Sequence, residues 1–110
     1  MKRYFVETPP FKRYIDDLPN GQEILLDLQE SLLDNPEAGD LIVGTGGLRK
    51  IRLAGKGKGK SGGFRITYLY VQKFECVYLF VIYAKNEKEN LSQREKALLK
   101  KVVEDIKEEK

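Results

Sequence analysis

Residues 41–74 contain eight basic side chains (Arg49, Lys50, Arg52, Lys56, Lys58, Lys60, Arg65 and Lys73) and no acid. Those 34 residues carry +8, and the rest of the chain, with 12 Lys and Arg against 17 Asp and Glu, carries −5 to give the overall +3. Eight of the ten glycines fall in the same stretch, from Gly44 to Gly63. Charge segregated on a glycine-rich segment suits a phosphate-bearing polyanion held partly by a pliant loop; a solvated loop without a ligand is the plainer alternative. Histidine is absent. That excludes imidazole metal sites, Ser-His-Asp triads and imidazole-type nucleases, and leaves acid–base chemistry to Lys, Arg, Tyr or a carboxylate. The single cysteine, Cys76, allows no intramolecular disulfide. It lies in an apolar run with no basic neighbour, so it reads as a small buried hydrophobe rather than a nucleophile. Neither a metal nor a cofactor is expected.

The elements that must position these groups can be read from periodicity. A chain of 110 residues, 41% hydrophobic, fits one compact domain over 1–110 with one core. Its longest apolar run, 77–84, is far short of the roughly 20 residues that span a bilayer, and the N-terminus lacks the apolar core of a signal peptide. A cytoplasmic protein without a membrane segment is therefore expected. Tyr4–Glu7 suits a short strand, and Thr8-Pro9-Pro10 suits the cap and first turn of a helix carrying Phe11, Tyr14, Ile15 and Leu18 at helical spacing. Asn20 with Glu23 has the spacing of a capping box for a second helix, which buries Leu25, Leu28 and Leu32 and stops by Asn35-Pro36. Strands follow at 48–54, 64–72 and 76–85; the last is apolar on both faces and is expected to be central. Ser92 with Glu95 opens a closing helix whose stripe is Leu98, Leu99, Val102, Val103 and Ile106. The order β-α-α-β-β-β-α describes an α+β fold, a small, mostly antiparallel sheet with the helical hairpin on one face.

Strand alternation aims the cations. Lys50 and Arg52 share a face opposite Ile51 and Leu53; Arg65 and Thr67 lie opposite Phe64, Ile66, Tyr68 and Tyr70, so Arg65 can join the basic face or form a surface salt bridge. In the third strand Val77, Leu79, Val81, Tyr83 and Lys85 alternate together, which makes Tyr83 either a site residue or a core aromatic with its hydroxyl at the rim. Residues 54–61 (Ala-Gly-Lys-Gly-Lys-Gly-Lys-Ser) imitate a relaxed phosphate loop. A true one opens a helix, whereas Gly62-Gly63 leads into a strand-like run from Phe64, so nucleotide hydrolysis is disfavoured. The Gly44-Thr-Gly46-Gly47 run fails the dinucleotide fingerprint because Arg49 stands at its last glycine position.

Gly39-Asp40, the run Gly44-Thr-Gly-Gly-Leu-Arg-Lys-Ile-Arg52, the loop Gly55-Lys-Gly-Lys-Gly-Lys-Ser-Gly-Gly63 with Arg65, and Tyr83-Ala-Lys-Asn-Glu87 together resemble the HigB-type toxins of the RelE superfamily, type II toxin–antitoxin endoribonucleases. The resemblance runs along essentially the whole chain and implies a RelE-like fold and a ribosome-dependent mRNA interferase that stops translation by cutting mRNA in the A site of the small subunit. It implies a cognate antitoxin, with a helix-turn-helix DNA-binding domain, as partner. By the same resemblance Arg65 steadies the scissile phosphate, Lys50 and Arg52 form the basic pair beside it, and Lys85 follows the last strand. The catalytic set it implies is Arg65, Lys85, Tyr83 and Arg52; Arg49, Lys50, Lys56, Lys58 and Lys60 would hold RNA. This chain has Asn86 where the best-known members have an arginine, and Leu91-Ser92 where they have a tyrosine, so Tyr83 and Lys85 are both candidates for activating the nucleophile. The inventory allows such chemistry, because RNA brings its own 2′-hydroxyl nucleophile and asks for orientation, one proton removal and charge stabilisation. A ParE-like toxin that binds gyrase would keep the fold without the ribonuclease; an RNA-binding module without catalysis is the other alternative.

Overall fold

The structure, a computed structural model, describes residues 3–53, 63–84, 87 and 90–108. Strand β1, Tyr4–Glu7, leads through Thr8 into helix α1, Pro9–Asp17, whose leading prolines occupy positions where no N–H partner exists. Thr8 does not cap that helix with its side chain; its hydroxyl donates to the Phe80 carbonyl (3.1 Å) and ties the helix entry to the sheet. Helix α2, Gly21–Asp34, also starts without the capping box that Asn20 and Glu23 predict. The turn is closed by backbone instead: Gly21 N–H donates to Leu18 O (3.2 Å), and a Cβ at position 21 would collide with the Ile15 carbonyl. The predicted box does form at helix α3, Gln93–Glu108. Glu95 N–H donates to Ser92 Oγ (3.1 Å) and Ser92 N–H to Glu95 Oε1 (2.8 Å), satisfying two helix-end donors.

The remaining strands are β2 (Asp40–Leu41), β3 (Arg49–Leu53), β4 (Phe64–Val71) and β5 (Cys76–Ala84). They form one sheet in the order β1-β5-β4-β3-β2, with β1 parallel to β5 and every other pairing antiparallel. The middle strand is therefore β4, while β5 is interior between β1 and β4, and the two-residue β2 escapes any periodicity. The sheet has a core on each side. On one, α1 and α2 pack Phe11, Ile15, Ile24, Leu28 and Leu32 against Ile66, Tyr68, Val77, Leu79 and Ile82. On the other, α3 brings Leu99, Val103 and Ile106 onto Leu48, Leu69, Val71 and Phe80. Periodicity predicts a cover for the first face alone, since a two-sided sheet needs the closing helix folded back, which strand alternation does not disclose. Among the described residues no helix is long and apolar enough to cross a membrane.

One irregularity resets the strand faces. The β4–β5 register passes from Thr67↔Val81 to Tyr68↔Leu79, so Phe80 is an extra residue in β5. A bulge of one residue flips every side chain beyond it. Val77 and Leu79 face the helical hairpin, but Val81 and Tyr83 lie on the other side of the sheet with Arg65 and Thr67. The expected single alternation from Val77 through Tyr83 is thus broken at Phe80.

Candidate active site

Downstream of the α3 core, the second sheet face turns basic in two adjacent rows. Cross-strand pairing sets Arg52 opposite Arg65 and Arg65 opposite Tyr83; the next row runs Asp40, Lys50, Thr67, Val81. Side chains directly opposite one another on one face stand roughly 5 Å apart at Cβ, and like charges so placed repel. Arg52 and Arg65 are such a pair. Arg65 is not on an open surface: only 3% of it is exposed, because both sheet faces are covered. Tyr83, at 4%, is buried beside it, and Arg52 is exposed. Thr67 is fully buried, and its hydroxyl finds no hydrogen-bond partner among the described residues. Lys50 Nζ donates to Asn90 Oδ1 (2.8 Å), which brings the approach to α3 over this row.

A cavity of about 270 Å³ opens here, lined by Ala38, Gly39, Asp40, Lys50, Ile51, Arg52 and Arg65. Three cations and one carboxylate around a space of that size can hold an anionic group and exchange a proton with it. Arg49 belongs to the opposite side. It pairs with Tyr68 in register, donates to Gly39 O (2.8 Å) and Glu37 O (3.2 Å), and lies 3.9 Å from the Glu37 carboxylate. Its guanidinium is thus engaged in holding the chain before β2 rather than gathered with Lys50 and Arg52. Tyr68 holds the same segment. Its buried hydroxyl donates to Pro36 O (2.9 Å) and accepts from Gly39 N–H (2.9 Å), and burial raises its pKa. Gly39 is needed for the approach, since a Cβ there would stand 2.8 Å from the Lys50 carbonyl.

The end of β5 is anchored just past Tyr83. Ala84 N–H donates to both Glu87 Oε1 (2.9 Å) and Tyr14 Oη (3.1 Å), and the Tyr14 hydroxyl donates to Glu87 Oε1 (2.7 Å). Burial and the adjacent Glu87 carboxylate push the Tyr14 pKa up to about 12, while the hydrogen bond from Tyr14 and that from Ala84 hold Glu87 below its ordinary value. Cys76 is buried, and burial raises its thiol pKa, in keeping with an inert core residue. Lys56, Lys58, Lys60 and Lys85 lie outside the described residues, as does the phosphate-loop imitation at 54–61. The segment joins β3 to the antiparallel β4 rather than a strand to a helix, the context a phosphate loop would need. The structure therefore gathers Arg52, Arg65, Tyr83 and Lys50, sets Arg49 apart, and adds Asp40 and Thr67. Asp40 carries sequence signals that by themselves give it no role: it belongs to the Gly39-Asp40 pair of the resemblance and is the last acid before the acid-free stretch.

Solved structures share this architecture. A crystal structure of the isolated E. coli RelE toxin matches with a TM-score of 0.58 at 18% identity, covering 92% of this chain and 99% of that one. A chain of the crystal structure of the intact E. coli RelBE toxin–antitoxin complex matches at 0.57 and 18%, covering 74% of this chain and 94% of that one. A free-state E. coli RelE mutant gives 0.57 and 16%, with 74% and 82% covered. At such identities these likenesses establish the fold, and the sequence establishes the family. Residues 28–110, which carry the whole basic segment and four of the five strands, match the RelE toxin of the RelE / RelB toxin–antitoxin system, and the chain belongs to that family.

Proposed function

We propose that this toxin is a ribosome-dependent endoribonuclease of the HigB-type subgroup, cutting mRNA in the A site of the small subunit and acting in the cytoplasm. The observation that carries the reading is the cross-strand pair of Arg52 and Arg65 beside Lys50. Two guanidinium groups opposite one another in a sheet repel, and an anion between them removes the repulsion. Arg65, held at the cavity wall by burial, contacts the scissile phosphate and stabilises the charge that builds on it; Arg52 and Lys50 hold the flanking backbone. Tyr83 lies opposite Arg65 in the β4–β5 register, beside the phosphate-binding row. Lys56, Lys58, Lys60 and Lys85 add attraction for RNA through charge alone. With no imidazole, the site depends on the ribosome to set the 2′-hydroxyl in line with the phosphorus.

A cognate antitoxin with a helix-turn-helix DNA-binding domain restrains the enzyme, as RelB accompanies RelE in the E. coli complex. Brief induction in growing cells followed by primer-extension mapping of mRNA 5′ ends tests the activity. Cuts in codon register that vanish in a translation-blocked message support it. Arrested growth with intact mRNA and inhibited gyrase would replace it by the ParE-like mode.

A further inference from the structure

We propose that Asp40 takes the proton from the attacking 2′-hydroxyl, an assignment that rests on the ribonuclease reading above. The pairing of β2 with β3 sets Asp40 directly opposite Lys50, and Asp40 lines the same cavity as Lys50, Arg52 and Arg65. Lys and Arg are protonated at neutral pH and have no lone pair to offer. Among the residues that line the cavity, Asp40 alone offers a carboxylate as proton acceptor.

Its placement is strongly constrained although the side chain is exposed. Arg49 holds the Glu37 and Gly39 carbonyls, and Tyr68 holds the Pro36 carbonyl and the Gly39 N–H, all from the opposite sheet face. Four hydrogen bonds thus fix the backbone immediately before a solvent-facing carboxylate, as expected for a group that must meet a reacting atom. A negative charge at a polyanion site weakens binding, and a chemical role offsets that penalty.

The step balances. The 2′-hydroxyl proton passes to the Asp40 carboxylate as the 2′-oxygen forms a bond to phosphorus. The P–O5′ bond breaks, its electron pair stays on the 5′-oxygen, and solvent water donates a proton there. The hydroxide so formed recovers the proton from Asp40. The products are a 2′,3′-cyclic phosphate and a free 5′-hydroxyl.

The test uses the full-length toxin on purified ribosomes carrying a defined mRNA with a filled P site and an empty A site, under single turnover at neutral pH. Asp40→Asn should lower the cleavage rate about 10²–10⁴-fold, leave ribosome binding within about twofold, and leave thermal unfolding unchanged. Asp40→Glu should recover part of the rate. A wild-type rate in Asp40→Asn would overturn the assignment, as would a loss confined to binding. If the wild type itself leaves the message uncut, the ribonuclease reading fails, and the assignment with it.

Discussion

Arg65 shows how burial changes what a single side chain can be asked. Strand alternation alone makes it a surface cation that alanine could replace without structural effect. At 3% exposure, its removal opens space beneath the cavity as well as deleting a charge. Arg65→Ala is therefore expected to lose cleavage on the order of 10²–10³-fold and also to lose about 1–3 kcal/mol of stability, read by single-turnover cleavage and thermal unfolding. Arg65→Lys separates the two effects. It keeps the charge and most of the volume but loses the planar fork, so it should fold nearly as well as wild type and cut far more slowly. A folded Arg65→Lys protein that cuts at the wild-type rate would remove Arg65 from the reaction.

At the scale of elements, two short connections decide where the site lies. The bulge at Phe80 turns Tyr83 toward Arg65, and the Tyr14–Glu87–Ala84 cluster fixes the strand immediately after it. The Tyr14 phenol has a folded pKa of about 12, above its ordinary value near 10, so its contribution is complete below pH 10 and lost as pH climbs toward 12. The Glu87 carboxylate is shifted downward, so its contribution is present above the ordinary carboxylate range and lost as pH falls through the folded value. The difference in Tm between wild type and Tyr14→Phe should thus be greatest between those limbs and shrink toward both. A hydrogen bond to a carboxylate this exposed is worth about 0.5–1 kcal/mol, or a few degrees. A pH-independent difference would mean that the bond is not made in solution. At the other edge, Gly39→Ala places a Cβ 2.8 Å from the Lys50 carbonyl. It should displace β2 and slow cleavage at least tenfold, by the roughly 1 Å misplacement that costs that much or more, while Ala38→Gly, one residue earlier, should change the rate little.

The whole molecule is electrically divided, with +8 on residues 41–74 against −5 elsewhere. That division should steer it to RNA and to an acidic antitoxin surface, with association that slows as salt rises. Titrating binding to ribosomes between 50 and 300 mM salt should give a steep logarithmic slope, which loses about one unit in Lys58→Ala without loss of the single-turnover rate. Slopes that match in the two proteins would take Lys58 out of the interface. The same charge predicts that magnesium-ATP raises Tm no more than another polyanion at equal ionic strength; a nucleotide-specific rise lost in Lys60→Ala would restore the phosphate-loop reading.

By itself the sequence determined the order and type of nearly every element. Apolar spacing, prolines and the Ser92–Glu95 box are local signals, and local backbone preferences obey them. It also determined that Lys50 and Arg52 share a face, because they lie two apart in an unbroken strand. Tertiary structure decided the rest. Asn20 and Thr8 have the chemistry of helix caps, but neither side chain caps its helix: the Thr8 hydroxyl donates to the Phe80 carbonyl, and backbone closes the turn before α2. The two-residue β2 has no period to read, and only its pairing with β3 brings Asp40 to Lys50. The bulge at Phe80 leaves no mark in an apolar run, yet it moves Tyr83 to the other side of the sheet. Arg65 is buried in a sheet whose two faces are covered by helices distant in the chain, an outcome that no local pattern encodes.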